Sequence, residues 1–264
     1  MLLSEKLKDR INYVPGSIGI YVHEIQTNES AFVGNCEVFP SLGIAKLVLL
    51  IEVFRQIEEG TLHLSDVYVL NKQPPFTMPE NEYEETVGIL DFLHDGIQLT
   101  VEDLVYSMCI ISDNTAFNIL LSMVGIDHVN ATMRHLGMEH IRIGSMLFEW
   151  KDEEAEKENF HSVREIGDLL VRIYKGQLIS KEASAKMLNI LKCHQRRGSF
   201  SFLFSRNISV AQQTGFDRDA LHLCAIVMAE RPFVLCAGAM HVDMKLAENM
   251  LQDVAHICYH SSNG

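Results

Sequence analysis

Three groups of polar residues stand out against the apolar runs around them. Lys46 lies in the stretch Leu42-Gly43-Ile44-Ala45-Lys46-Leu47-Val48, directly after Phe39-Pro40-Ser41. Ser112-Asp113-Asn114 separates two apolar segments, and Gln213-Thr214-Gly215 ends a strand-like one. An amine, two hydroxyls and two carboxamides are side chains that acyl transfer draws on: a hydroxyl attacks as a base removes its proton, a carbonyl is held, and a developing oxyanion is stabilised. Each group also has a plainer reading. Ser41 and Ser112 suit helix starts, Asn114 can cap, and Thr214-Gly215 alone is an ordinary strand-end turn. Lys46 alone reads as a surface lysine, but its apolar neighbours argue for an inward position. The order and company of the three groups favour a shared cleft.

The elements that must position these residues follow from periodicity. Leu3 to Asp9 reads as an amphipathic helix. Ser17 to Ile25 and Ala31 to Val38 read as two strands of a hairpin around the turn Thr27-Asn28-Glu29-Ser30. From Gly43 to Glu59 the period becomes helical, with Leu47, Leu50, Ile51 and Phe54 on one face and Gly60 at the end. Asn71 to Glu85 is polar and carries prolines, as a long surface loop does. A helical series follows. Thr100 caps Val101 to Ile111 with Asp103 in the third position, and Asn114 to Val124 ends at Gly125. Asp127 caps a helix that ends at Gly137, Ser162 caps Val163 to Tyr174, and Ser180 caps Lys181 to Leu191. Glu149 to Glu158 is an acidic, solvated run. Three strands, Ser209 to Thr214, Ala220 to Ala229 and Phe233 to Ala239, form a meander, and Asp243 caps a last helix to about Tyr259. Strands at both ends around a helical middle predict an α+β fold, an αβα sandwich with one antiparallel sheet. Its sheet part takes residues 1–40 and 195–264, its helical part residues 41–194, with a cleft between them.

Composition narrows the function classes. A net charge of −13 excludes general nucleic-acid binding, because phosphate backbones are held by Lys and Arg. It also disfavours anionic membrane surfaces. No apolar run reaches the ~20 residues that span a bilayer. No signal-peptide core is visible, so a cytoplasmic location is expected, or secretion if a leader has been removed. The six cysteines form no CxxC pair and read as reduced thiols. His256 and His260 are spaced i,i+4 without an acidic third ligand, so no metal site is expected.

The three groups resemble the S-x-x-K, S-D-N and K-T-G set of penicillin-recognising serine enzymes. Phe39-Pro40-Ser41-Leu42-Gly43-Ile44-Ala45-Lys46 is similar to the F-P-x-A-S-x-x-K helix entry of class A β-lactamases, and this register puts Gly43 at the nucleophilic serine. Val87 to Leu104, Ile110 to Gly125, Glu158-Asn159 and His222 in the penultimate strand extend the resemblance over nearly the whole chain.

The resemblance implies hydrolysis of β-lactams or related amides and esters, without a cofactor, on a small β-lactam-like or peptide-like ligand. It implies a monomer or weak dimer. It places Lys46 in the proton-transfer network and Ser112 as proton relay to the leaving nitrogen. Asn114 would hold the substrate amide, Thr214 beside Gln213 and Gly215 the carboxylate, and the Gly43 and Phe216 backbone N–H groups the oxyanion. Three departures stand against that activity. Gly43 has no hydroxyl, Gln213 replaces a lysine, and Glu149, the nearest carboxylate in the loop after Ile143, does not match the deacylating glutamate. Two functions are therefore in play: a weak hydrolase, or a non-catalytic ligand-binding or scaffold relative, a pseudoenzyme. Replacement of Gly43 by serine is expected to restore acylation before turnover. Ser41, two residues before Gly43, is expected on a different side of the helix or in the preceding coil.

Overall fold

The computed structural model describes residues 2–71, 87–147, 158–195, 204 and 207–263. Of the loop expected at Asn71 to Glu85 only Asn71 lies within them, and of the acidic run at Glu149 to Glu158 only Glu158.

Helices and strands follow in the order α1 (Leu3–Ile11), β1 (Ser17–Glu24), β2 (Ser30–Gly34), β3 (Val38–Pro40), α2 (Ala45–Glu59), β4 (Val67–Val69), β5 (Gln98–Thr100), α3 (Val101–Ile110), α4 (Asn114–Val124) and α5 (Ile126–His135). Then come β6 (Phe160–Ser162), α6 (Val163–Tyr174), α7 (Lys181–Lys192), β7 (Ser209–Asp217), β8 (Ala220–Met228), β9 (Phe233–Met240) and α8 (Met244–Asn263). Strands from both ends of the chain meet in one five-stranded sheet, ordered β2-β1-β9-β8-β7, with every neighbouring pair antiparallel.

The two-residue period of the strands sorts their side chains between two cores. On β8, Cys224 and Ile226 face α2 and its helical neighbours, while Leu223, Ala225 and Val227 face α1 and α8. On β9, Val234 and Cys236 join the first core, and Phe233, Leu235 and Ala237 the second. Helices cover both faces, which is why these antiparallel strands read as continuous apolar runs rather than as alternating ones. This is the expected α+β sandwich.

Several of the capping signals held. Thr100 caps α3 in a capping box with Asp103, and Ser162 and Ser180 accept from the backbone N–H three residues on in α6 and α7. Asp243 accepts from Leu246 N at 3.0 Å, but α8 runs past Tyr259 to Asn263. Other boundaries differ. Gly125 occupies the cap position of α5, and Asp127 lies in its first turn. The second strand is broken. Gly34, at φ +136°, leaves β2, and Asn35 folds back to bond Ile18 N and Gly16 O. The chain then resumes as β3, which pairs with β6 instead of β1. The helix of the Lys46 region has no exposed face in its first turns: Ala45 through Phe54 are all buried, the charged Lys46 and Glu52 included, so α2 is a central helix. Among the described residues, no helix is long and apolar enough to cross a membrane.

Candidate active site

Residues Leu42–Ile44 form a single 3-10 turn, and the α-helix proper begins at Ala45. This places Lys46 in the first turn of α2, 2% exposed. Its Nζ donates to the Ser112 carbonyl at 2.5 Å, to Ser112 Oγ at 2.8 Å and to Asn114 Oδ1 at 2.7 Å. An ammonium is a three-hydrogen donor, suited to holding several acceptors at once. Lys46 thus ties α2 to the turn between α3 and α4. Ser112 takes the left-handed backbone, φ +63°, that lets both its carbonyl and its hydroxyl face Lys46. Asp113 makes the turn rigid. Its carboxylate caps α4 through Ala116 N at 2.9 Å and accepts from Ile89 N at 2.6 Å and Leu90 N at 2.9 Å.

The second half of the site is the wall formed by β7. This strand continues past Thr214 to Asp217, so Gln213-Thr214-Gly215 lies inside it, opposite Cys224, Leu223 and His222, and not at a strand end. Gln213 Nε2 donates to the Gly43 carbonyl at 3.2 Å. The backbones of β7 and the 3-10 turn meet glycine to glycine. A Cβ in ideal geometry on Gly43 would lie 2.2 Å from the Thr214 carbonyl oxygen, and one on Gly215 would lie 2.8 Å from Gly43 N. Neither contact is sterically possible, so side chains at both positions are excluded as the backbone stands. A serine at position 43, expected from the sequence to restore acylation, would need β7 or the 3-10 turn to shift to make room for its side chain. Phe216, 41% exposed, stands at the rim.

Sequence reasoning missed His194. It follows α7 and is 1% exposed, with Nδ1 2.7 Å from the Cys109 carbonyl and Nε2 3.1 Å from Thr214 Oγ1. A lone histidine after a helix carries no periodic signal, and only the fold brings α7 against β7. Burial pushes the neighbouring Cys109 thiol up to about 12, with the charge of Lys46 pulling the other way.

Ser41 is fully buried, and among the described residues its Oγ has no hydrogen-bond partner. It does not cap through its side chain. Beneath the strand leading to it, Phe39, His161 and His222 pack as a cluster, His222 5.2 Å from each of the other two rings. Burial drives His222 down to about 4 and His161 well below the ordinary imidazole value, the latter helped by the proximity of His222. Among the described residues no group of three or more His, Cys, Asp or Glu side chains is placed to hold a metal. His256 and His260 stack edge to face at 4.2 Å. The six cysteines are free thiols, four of them buried.

The structure therefore gathers Lys46, Ser112 and Asn114 into one knot, and Gly43, Gln213, Thr214 and Gly215 into another, joined by the first turn of α2. Glu149 lies outside the described residues.

The architecture is shared widely. The β-lactamase of Sphaerobacter thermophilus superposes with a TM-score of 0.86 at 23% identity, over 99% of this chain and 96% of that one. The protein PBP-A gives 0.85 at 20% identity, over 98% and 95%. An ancestral class A β-lactamase gives 0.83 at 19%, over 98% and 100%. Comparison with curated protein sequences finds no match. The sequence model of the β-lactamase enzyme family matches residues 2–261, and this chain belongs to that family.

Proposed function

We propose that this member of the β-lactamase family has lost acyl transfer at Gly43 and uses its cleft to bind a small β-lactam-like or peptide-like ligand without a covalent bond. The cleft lies between the sheet part, residues 1–40 and 195–264, and the helical part, residues 41–194, and the protein acts as a monomer or weak dimer. The observation that carries this reading is the approach of Thr214 to Gly43. With the register of the resemblance, Gly43 is the nucleophile position. It has no hydroxyl, and the Thr214 carbonyl fills the space where a side chain would start. Lys46 supports the same reading, because its ammonium is engaged in holding Ser112 and Asn114. An L158E mutant of PBP-A forms an acyl-enzyme with penicillin G; this chain is proposed to hold such a ligand by Asn114, Thr214 and the Gly43 and Phe216 backbone N–H groups alone, with Lys46 and Ser112 acting as scaffold and not in proton transfer. The test is turnover of a chromogenic cephalosporin together with calorimetric titration of benzylpenicillin. Saturable binding with no turnover is expected. Turnover that disappears in Lys46→Met would overturn the reading.

A further inference from the structure

The contact between His194 and Thr214 has a direction that depends on one proton. Nδ1 of His194 faces the Cys109 carbonyl at 2.7 Å, and a carbonyl only accepts, so Nδ1 carries a hydrogen. In the neutral ring Nε2 is then bare, and the Thr214 hydroxyl donates to it across 3.1 Å. In the imidazolium both nitrogens carry hydrogens. Nε2 then donates to Thr214 Oγ1, and the hydroxyl hydrogen is turned away from the ring. His194 is buried while Thr214 is half-buried. The hydroxyl is the part of this pair that a ligand can reach.

The geometry points to His194 as a proton-coupled switch on Thr214: proton uptake by the ring releases the Thr214 hydroxyl to donate to a carboxylate in the cleft, so that carboxylate and proton bind together. This deepens the reading of the cleft as a non-covalent binding site, and it rests on that reading for the ligand's identity. It also returns a positive charge to a wall where Gln213 carries none. No bond forms or breaks except the N–H bond to the proton taken from solvent.

Charged and titratable groups around the His194–Thr214 pair set the balance. From α3 comes the Cys109 thiol, held neutral by burial. From α2 comes Lys46, whose charge is felt at Cys109 and opposes a second cation. The end of α7 brings exposed Cys193, and Lys192 bonded to Asn189. On β7 the adjacent side chains are the uncharged Gln212 and Gln213, and on β8 His222 is kept neutral by burial. A bound carboxylate supplies the negative charge that offsets the imidazolium.

The experiment is a pH titration of the His194 ring nitrogens by NMR on histidine-labelled protein, in sodium acetate and in sodium chloride of equal ionic strength. Acetate is expected to raise the His194 midpoint in the wild type and to leave it unmoved in Thr214→Val. By reciprocity, each unit of that rise makes acetate binding about tenfold tighter at acid pH. His194→Gln, whose amide donates to Thr214 at every pH, is expected to abolish the pH dependence of benzylpenicillin binding. An unchanged midpoint in acetate, or an equal shift in Thr214→Val, overturns the switch. If acetate shifts the midpoint but benzylpenicillin does not bind at any pH, the switch stands and the proposed ligand class falls.

Discussion

The carbonyl oxygen of Thr214 lies 2.2 Å from the point where a Cβ on Gly43 would begin, so the backbone of β7 fills the place a side chain at position 43 would take. Gly215 mirrors this from the other side, with Gly43 N at 2.8 Å from its own Cβ position. Glycine on each side of the contact lets the two backbone segments lie directly against each other, so Gly43 and the packing of β7 form one feature.

Even the smallest side chain at position 43 must therefore move β7 or the 3-10 turn. Gly43→Ala is expected to destabilise the protein by about 1–3 kcal/mol, the usual cost of overpacking a tight contact. Gly43→Ser should cost at least as much and gain no acylation. Thermal melts of the two variants check this. Melting points equal to the wild type would show that the wall yields freely.

Lys46 is predicted to be structural in its main effect. Lys46→Met keeps the aliphatic stem but leaves the Ser112 carbonyl, Ser112 Oγ and Asn114 Oδ1 without their donor. Buried acceptors that lose a charged partner cost roughly 1.5–3 kcal/mol each when none can be re-satisfied, and water entry recovers part of this. A net loss of about 3 kcal/mol in urea unfolding is expected. A loss under about 1 kcal/mol would mean that the knot does not brace α2.

Acid should weaken the fold through the histidine pair. His222 titrates near 6.5 when unfolded and near 4 when folded. Its folded value is depressed, so between these limits the unfolded chain binds the extra proton. The stabilisation is complete above about pH 6.5 and is lost as pH falls toward 4, at up to ~1.4 kcal/mol per pH unit for one site. His161, lowered in the same direction, adds to the slope. Glu52 and Asp103 have lowered values too, and their contributions disappear only further into acid. Urea midpoints measured from pH 7 to pH 4.5 should fall in the wild type and fall less steeply in His222→Leu. Parallel curves would assign the acid sensitivity to other groups.

The parts of this fold that could be read from the sequence were local. Thr100, Ser162 and Ser180 cap because a short hydroxyl suits a helix start in almost any context, and in Ser112-Asp113-Asn114 the short carboxylate of Asp113 does the same for α4. Contacts that depend on distant segments were not legible. Nothing near Gly43 says that Gly215 will lie against it, and nothing near His194 says that Thr214 and Cys109 will meet its two nitrogens. Helical periodicity marked Leu47, Leu50, Ile51 and Phe54 but understated α2, whose Val48, Leu49 and Val53 are equally buried because other helices and the sheet surround it. The break between β2 and β3 was hidden for a related reason. Val38–Pro40 looks like the continuation of a strand, yet its partner, Phe160–Ser162, is remote in sequence.

Intact-protein mass spectrometry after incubation with benzylpenicillin tests the central claim most directly. The wild type is expected to keep its mass, because Gly43 offers no hydroxyl and β7 covers the position. A stable gain equal to one penicilloyl group, mapped by digestion to Ser41, Ser112 or Thr214, would contradict the account by showing that another hydroxyl has taken over the bond-forming role.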